Sequence, residues 1–230
     1  MEALPGVLHY SSSSNHQVTA STFTIACKKC SRLANYLAQS KVKYPDYYCQ
    51  PVPAFGDPDA QLLIVGLAPG LHGANATARP FTGDHAGIIL YRTLHKYGFA
   101  NQAESHALDD GLQLRNARIT NAVKCVPPQN KPTPAEARTC GLYLQEEISA
   151  LVGRHVILAL GRIAHESILR ALGLRLKDYT FAHAAQHSLN EQLTLVDSYH
   201  CSRYNTQTKR LTEPQFEAVF ATIRTLIDSM

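Results

Sequence analysis

The chain has 230 residues, 45% of them hydrophobic and 17% charged, which supplies enough apolar material for a sizeable core and excludes wholesale disorder. Its formal charge of +4 permits contact with a polyanion without demanding it. No apolar run nears the roughly 18 residues of a membrane span, and residues 1–10 lack the Lys and Arg of a secretory leader, so a cytoplasmic protein is expected.

In chain order, residues 1–20, with Ser11 to Ser14 in a row, read as a disordered tail, and residues 21–230 as a single domain. Ile25, Leu33 and Leu37 predict an amphipathic helix over 24–40 that carries Cys27 and Cys30. The Pro-, Tyr- and Gly-rich stretch 44–58 reads as loop. Leu62-Leu63-Ile64-Val65-Gly66 is a short apolar run ending in glycine, the pattern of a buried parallel strand. A helix follows over 86–97 and a second strand over 118–123. Thr133-Pro134-Ala135-Glu136 opens a helix toward Leu151: the threonine caps, the proline sits where no N–H is needed, and the glutamate closes the capping box. A third strand over 155–160, a helix over 163–172 stopped by Gly173, a fourth strand over 193–196 and a last helix opened by Thr212-Glu213-Pro214-Gln215 complete the alternation. The fold predicted is α/β with a mainly parallel sheet, and its chemistry belongs at the carboxyl ends of the strands.

Three strand ends carry suggestive residues. The first leads into Gly66-Leu67-Ala68-Pro69-Gly70 and then Arg79-Pro80-Phe81-Thr82-Gly83-Asp84. No Gly-Lys-Ser/Thr follows, so this is not a phosphate loop, and the glycines read as letting backbone approach a flat ligand. Taken singly, Phe81 reads as a core aromatic and Asp84 as a helix cap; in one loop they suggest a site. The second strand end gives Asn121 and then the proline-stiffened Lys124-Cys125-Val126-Pro127-Pro128-Gln129-Asn130-Lys131-Pro132, where an asparagine amide suits the edge of a nucleobase or simply forms a turn. The fourth gives Tyr199-His200-Cys201-Ser202-Arg203-Tyr204-Asn205-Thr206, with Lys209 and Arg210 beyond, a mixture suited to phosphates. Six cysteines in a reducing compartment point to metal or redox chemistry rather than disulfides. Thiolates of Cys27, Cys30, Cys125 and Cys140 could hold zinc or a [4Fe–4S] cluster, and spacing does not choose between them. Cys49 and Cys201 default to ordinary buried thiols.

These segments in this order, with the four cysteines, resemble the uracil-DNA glycosylase superfamily and within it the iron–sulfur family 5 (type B) enzymes, over the chain from about Cys27 to the C-terminus. The resemblance implies a three-layer α/β/α domain with a central four-stranded parallel sheet, and a [4Fe–4S] cluster on Cys27, Cys30, Cys125 and Cys140. It implies a monofunctional repair enzyme, acting as a monomer, that hydrolyses the N-glycosidic bond of uracil, and of other deaminated bases such as hypoxanthine and xanthine, in DNA. Asp84 and Asn130 would manage the attacking water, since Leu67 stands where the family 4 relatives have a glutamate, and His200 would stabilise the departing base. Phe81 would stack on that base, with Ala68, Gly70 and Asn121 at its edge, and Arg203, Lys209 and Arg210 would bind DNA. Cys201, where the family has an aliphatic residue, and Tyr204 depart from its pattern. The rival readings are a strict uracil-only enzyme of the family 4 kind, against which Leu67 argues, and a non-catalytic iron–sulfur or zinc DNA-binding module, against which Asp84, Asn130 and His200 argue.

Overall fold

The computed structural model describes residues 23–230. The tail expected at residues 1–20 lies outside the described residues. Six strands form one mixed sheet: β1 (Phe55–Gly56), β2 (Leu62–Gly66), β3 (Ala117–Asn121), β4 (His155–Leu160), β5 (Gln186–Ser188) and β6 (Leu193–Ser198), in the order β1-β3-β2-β4-β6-β5. The four inner strands are parallel, and the two outer ones pair antiparallel. The expected four parallel strands are thus the centre of a wider, mixed sheet with an antiparallel strand at each edge. The added edges are two and three residues long, too short to carry a hydrophobic pattern.

Every residue of β2 and of β4 is buried, as a parallel strand covered on both faces requires. Successive side chains point to opposite faces, so the alternation sorts them into two cores. Leu62, Ile64, Leu158 and Val196 pack with Leu90 and Leu94 of α3 (His85–Lys96) and with Phe216, Phe220 and Ile223 of α7 (Glu213–Asp228). Leu63, Val65, Ile157 and Leu195 pack with Leu144 and Ile148 of α4 (Pro134–Ser149) and with Ile168 and Leu169 of α5 (Arg162–Ala171). The sheet is sandwiched between helices. No described helix is long and apolar enough to cross a membrane.

The capping box read at Thr133 is present, with Thr133 Oγ1 accepting from Glu136 N–H and Glu136 accepting from Thr133 N–H. The same glutamate takes two hydrogen bonds from Arg32, at 2.7 and 2.8 Å, which fastens α1 (Ser31–Lys43) to the start of α4. The first helix does not contain the Cys27–Cys30 pair. Cys30 is its N-cap with extended backbone, and Cys27 lies in the preceding turn, where its sulfur accepts from the Tyr143 hydroxyl at 3.3 Å. The strand expected to stop at Val196 continues through Asp197 and Ser198, both fully buried. Two short helices, α2 (Ala74–Thr77) and α6 (Arg203–Gln207), complete the set.

Arg79 anchors the segment leading to Phe81. It is 1% exposed, pairs with Asp110 at 2.8 Å, donates to Ser105 Oγ at 3.0 Å and to Leu108 O at 2.7 Å, and lies over the Phe55 ring. Asp110 also accepts from the N–H groups of His106, Ala107 and Leu112. Burial alone would raise its pKa, but Arg79 and these amides together hold it well below the usual carboxylate range. Its stabilising contribution is therefore complete above the unfolded-state value of about 3.9 and is lost as the pH falls toward the lower folded value. Asp110→Ala strands the Arg79 charge and should cost about 3–5 kcal/mol by urea denaturation at neutral pH. The gap from the wild type should narrow as the pH is lowered from about 4.

Candidate active site

A cavity of about 440 Å³ opens at the carboxyl ends of the inner strands. The turn after β2 lines it with Leu67, Ala68 and Gly70, and the segment before α3 with Phe81 and Asp84. Asn121 enters from the end of β3, Asn130 from the turn at Pro128–Asn130, and His200 and Arg203 from the segment after β6. The structure thus brings together the seven residues that the sequence singles out for catalysis and base binding. Of the three cationic candidates, Arg203 borders the cavity. Lys209 and Arg210 are exposed on the continuing segment, with the Arg210 guanidinium 4.7 Å from the Tyr199 ring centre. His85 and Ala86, next to the Asp84 segment, and Ser202, inside the His200 segment, also line the cavity without having been singled out for a role.

The glycines also make room within the protein itself. A Cβ on Gly66 would lie 2.5 Å from Asn121 Oδ1 and 2.8 Å from Phe81 Cζ, both closer than real Cβ contacts. A Cβ on Gly70 would lie 2.5 Å from Asp84 Oδ1, and one on Gly73 would collide with the same carboxylate. Their missing methyls clear room for this chain's own side chains. Asp84 is the N-cap residue of α3, but its side chain makes no cap hydrogen bond. The carboxylate instead faces the Gly70–Ala74 turn, whose Gly70 and Ala74 amides favour its ionised form. Burial raises its pKa; those two amides and nearby His72 oppose the rise without cancelling it.

Phe81 is 7% exposed and has φ of +62°, which turns its ring over Gly66. The His200 ring lies 6.1 Å from it, inclined by 28°. Burial pushes the His200 pKa down to about 4, so the imidazole is neutral at physiological pH and retains one N–H to donate. The main chain at His200 is fixed by Asn205, whose Nδ2 donates to its carbonyl at 2.8 Å. Lys124 does not reach the cavity: it is 1% exposed and donates to Glu147 at 2.8 Å and to the Thr120 hydroxyl.

A second, smaller cavity is lined by Cys27, Cys30, Cys125 and Cys140. Cys140 Sγ accepts from Lys124 N–H at 3.2 Å. Burial and the neighbouring sulfurs push Cys125 up to about 12 and Cys140 to about 11, a setting in which thiolates need a bound cation. Among the described residues, the one trio of ligand atoms within 4.8 Å of one another lies elsewhere, at His165, His187 and Asp197. Four cysteine sulfurs lining one cavity are a donor set that an iron–sulfur cluster or a zinc ion accepts. Cys49 and Cys201 stand apart, buried beside Asn75 and Ala86.

Comparison with known proteins accords with this geometry. The family model described as "Uracil DNA glycosylase superfamily" matches residues 53–224. The chain is 45% identical over 196 residues to a type-5 uracil-DNA glycosylase of Thermus thermophilus, covering 83% of this chain and 89% of that protein. It is 38% identical over 192 residues to a protein of the same name from Pyrobaculum aerophilum, covering 82% and 83%. It is 40% identical over 203 residues to one from Mycobacterium leprae, covering 84% and 88%. With these matches spanning the strands and all three cavity-lining segments, the chain belongs to the uracil DNA glycosylase superfamily.

Proposed function

We propose that the protein is a DNA-repair glycosylase of the type-5 class, hydrolysing the bond between deoxyribose and uracil to leave an abasic site. One observation carries this reading: Asp84, Asn130 and His200, from three different strand ends, converge on one cavity floored by Phe81 and Asn121. Residues 21–230 act as one catalytic domain, as a monomer. The target base leaves the duplex at a cost of a few kcal/mol, lowest for a mispaired uracil. Phe81 stacks on the flipped ring, while the Asn121 amide and the backbone of Ala68 and Gly70 address its edge.

As the bond breaks, the sugar gains positive charge and the base negative charge. The neutral His200 N–H hydrogen-bonds to the base carbonyl, supplying the stabilisation that an oxyanion hole gives elsewhere. Asp84, packed against Gly70 and Gly73, faces the cationic sugar and accepts a proton from the water that Asn130 helps to orient. Lys124 is committed to Glu147, which favours a monofunctional enzyme with no Schiff-base step. The apolar wall at Leu67 suits a pocket tolerant of other deaminated bases, hypoxanthine and xanthine among them. Cys27, Cys30, Cys125 and Cys140 would hold a [4Fe–4S] cluster, which when bound supplies a rigid cross-link between the N-terminal segment and α4. Arg203, Lys209 and Arg210 would grip the DNA backbone.

Release of uracil from a uracil-containing duplex, followed by alkaline cleavage at the abasic site, tests the central reading; absence of cleavage refutes it. Asp84→Ala and His200→Ala should each lower the single-turnover rate by about tenfold to a thousandfold with little change in DNA affinity. Asn130→Ala should do less, because an amide orients water without taking its proton. The rate should rise with pH as the Asp84 carboxyl ionises, with a midpoint above the ordinary carboxylate value, and this limb should disappear in Asp84→Asn. Protonation of His200 near pH 4 leaves the neutral range flat.

Replacing Arg203, Lys209 and Arg210 together with Ala should flatten the slope of log affinity against log salt by about 0.9 for each phosphate left without its cation. An unchanged slope would move the DNA-binding face elsewhere. For the cluster, anaerobically purified protein should be brown and contain iron and sulfide. Cys27→Ser, Cys125→Ser or Cys140→Ser should remove the colour, and Cys49→Ser should not. Stoichiometric zinc without iron would overturn that assignment.

A further inference from the structure

Away from the base cavity, Asp197 of β6 is fully buried, and its only ion-pair partners among the described residues are two histidines. His165 of α5 places Nδ1 2.7 Å from Asp197 Oδ1, and His187 of β5 places Nε2 3.1 Å from Asp197 Oδ2. His165 Nε2 lies 3.0 Å from the Tyr179 carbonyl oxygen. A carbonyl can only accept, so Nε2 carries the hydrogen, and the neutral ring turns the lone pair of Nδ1 toward Asp197. Two lone-pair atoms at 2.7 Å need a positive charge between them. Either a proton or a metal ion supplies it.

We infer that His165, His187 and Asp197 form a binding site for a divalent first-row transition ion, with zinc the best chemical match. The three ligand atoms lie within 4.8 Å of one another, so modest side-chain shifts bring them to the roughly 2.0–2.2 Å usual for zinc with nitrogen and oxygen ligands. Two imidazoles and a carboxylate are a donor set that zinc accepts. The Tyr179 carbonyl is the outer partner that commonly orients a ligating histidine. All three ligands sit on regular elements: a helix, an inner strand and the edge strand laddered to it. His187 is the partly exposed ligand, at 14% of its side chain, and so gives the ion an entry and leaves a position for water. On metal binding, His165 releases any Nδ1 proton to solvent. None of the three lines the base cavity, so the ion would clamp β5 and α5 to the strand that leads into His200.

The test uses untagged full-length protein with the metal of its cysteine centre left in place, titrated with Co²⁺. The expected result is one equivalent bound, with the visible ligand-field bands of a nitrogen–oxygen tetrahedral site and no thiolate charge-transfer band. Zinc should displace it and raise the melting temperature. His187→Ala, a change at the edge of the sheet, should weaken binding at least about 100-fold, since removing even an outer partner costs roughly 10- to 100-fold, and should remove the zinc-dependent rise in melting temperature. No bound Co²⁺, a thiolate charge-transfer signature, or affinity unchanged in His187→Ala would each overturn the site and leave a proton closing the His165–Asp197 pair. Uracil release plays no part in the readout, so the outcome is independent of the proposed activity.

Discussion

The space above Gly66, Gly70 and Gly73 is the constraint on which the cavity depends, because Asn121, Phe81 and Asp84 occupy the places where Cβ atoms would otherwise stand. Filling it would displace an aromatic wall, an amide or a carboxylate by more than side-chain adjustment absorbs, since neighbouring backbone fixes each one. Phe81 is held by its positive φ and by the close approach of its carbonyl to Gly87, and Asp84 packs tightly against Gly70 and Gly73 of the opposing turn. The carboxylate is kept partly out of water with no cationic partner at salt-bridge distance among the described residues. Its raised pKa is the electrostatic cost of that position, and a developing positive charge nearby would relieve it.

Around this site the charged residues divide into those that face the cavity and those that hold its loops. Arg79 and Lys124 belong to motifs that look chemical in the sequence, yet each is committed to a buried ion pair, with Asp110 and Glu147. Their hydrogen bonds replace hydration that the loops give up on packing, and they fix where Phe81 and Cys125 emerge. Arg32 does the same at the other end, joining α1 to the capping box of α4 beside the sulfur-lined cavity. Three ion pairs thus hold the segments that line the two cavities.

β2, β4 and the capping box at Thr133 were legible because each rests on local chemistry: apolar runs in the strands, Thr-Pro-x-Glu in the box. The cavity residues were legible because the chemistry of a parallel sheet gathers at the carboxyl ends of its strands. What stayed hidden depends on distant partners. β1 and β5 exist only through pairing with β3 and β6, and their own residues announce nothing. Cys27 lies outside the helix because its sulfur is drawn to Tyr143, 116 residues away in the chain. The role of Gly73 depends on where Asp84 points, and the meeting of His165, His187 and Asp197 has no spacing to betray it.

The shortness of the two outer strands bears on how the protein behaves in crowded solution. A long, flat, apolar edge offers unpaired amides and carbonyls to any passing extended chain and so seeds sheet-to-sheet association. Here one border is two residues long and the other three, the latter with Gln186 and Ser188 exposed. Neither border is long enough to template a neighbour. Protection against edge-to-edge pairing is thereby built into the rim of the sheet itself.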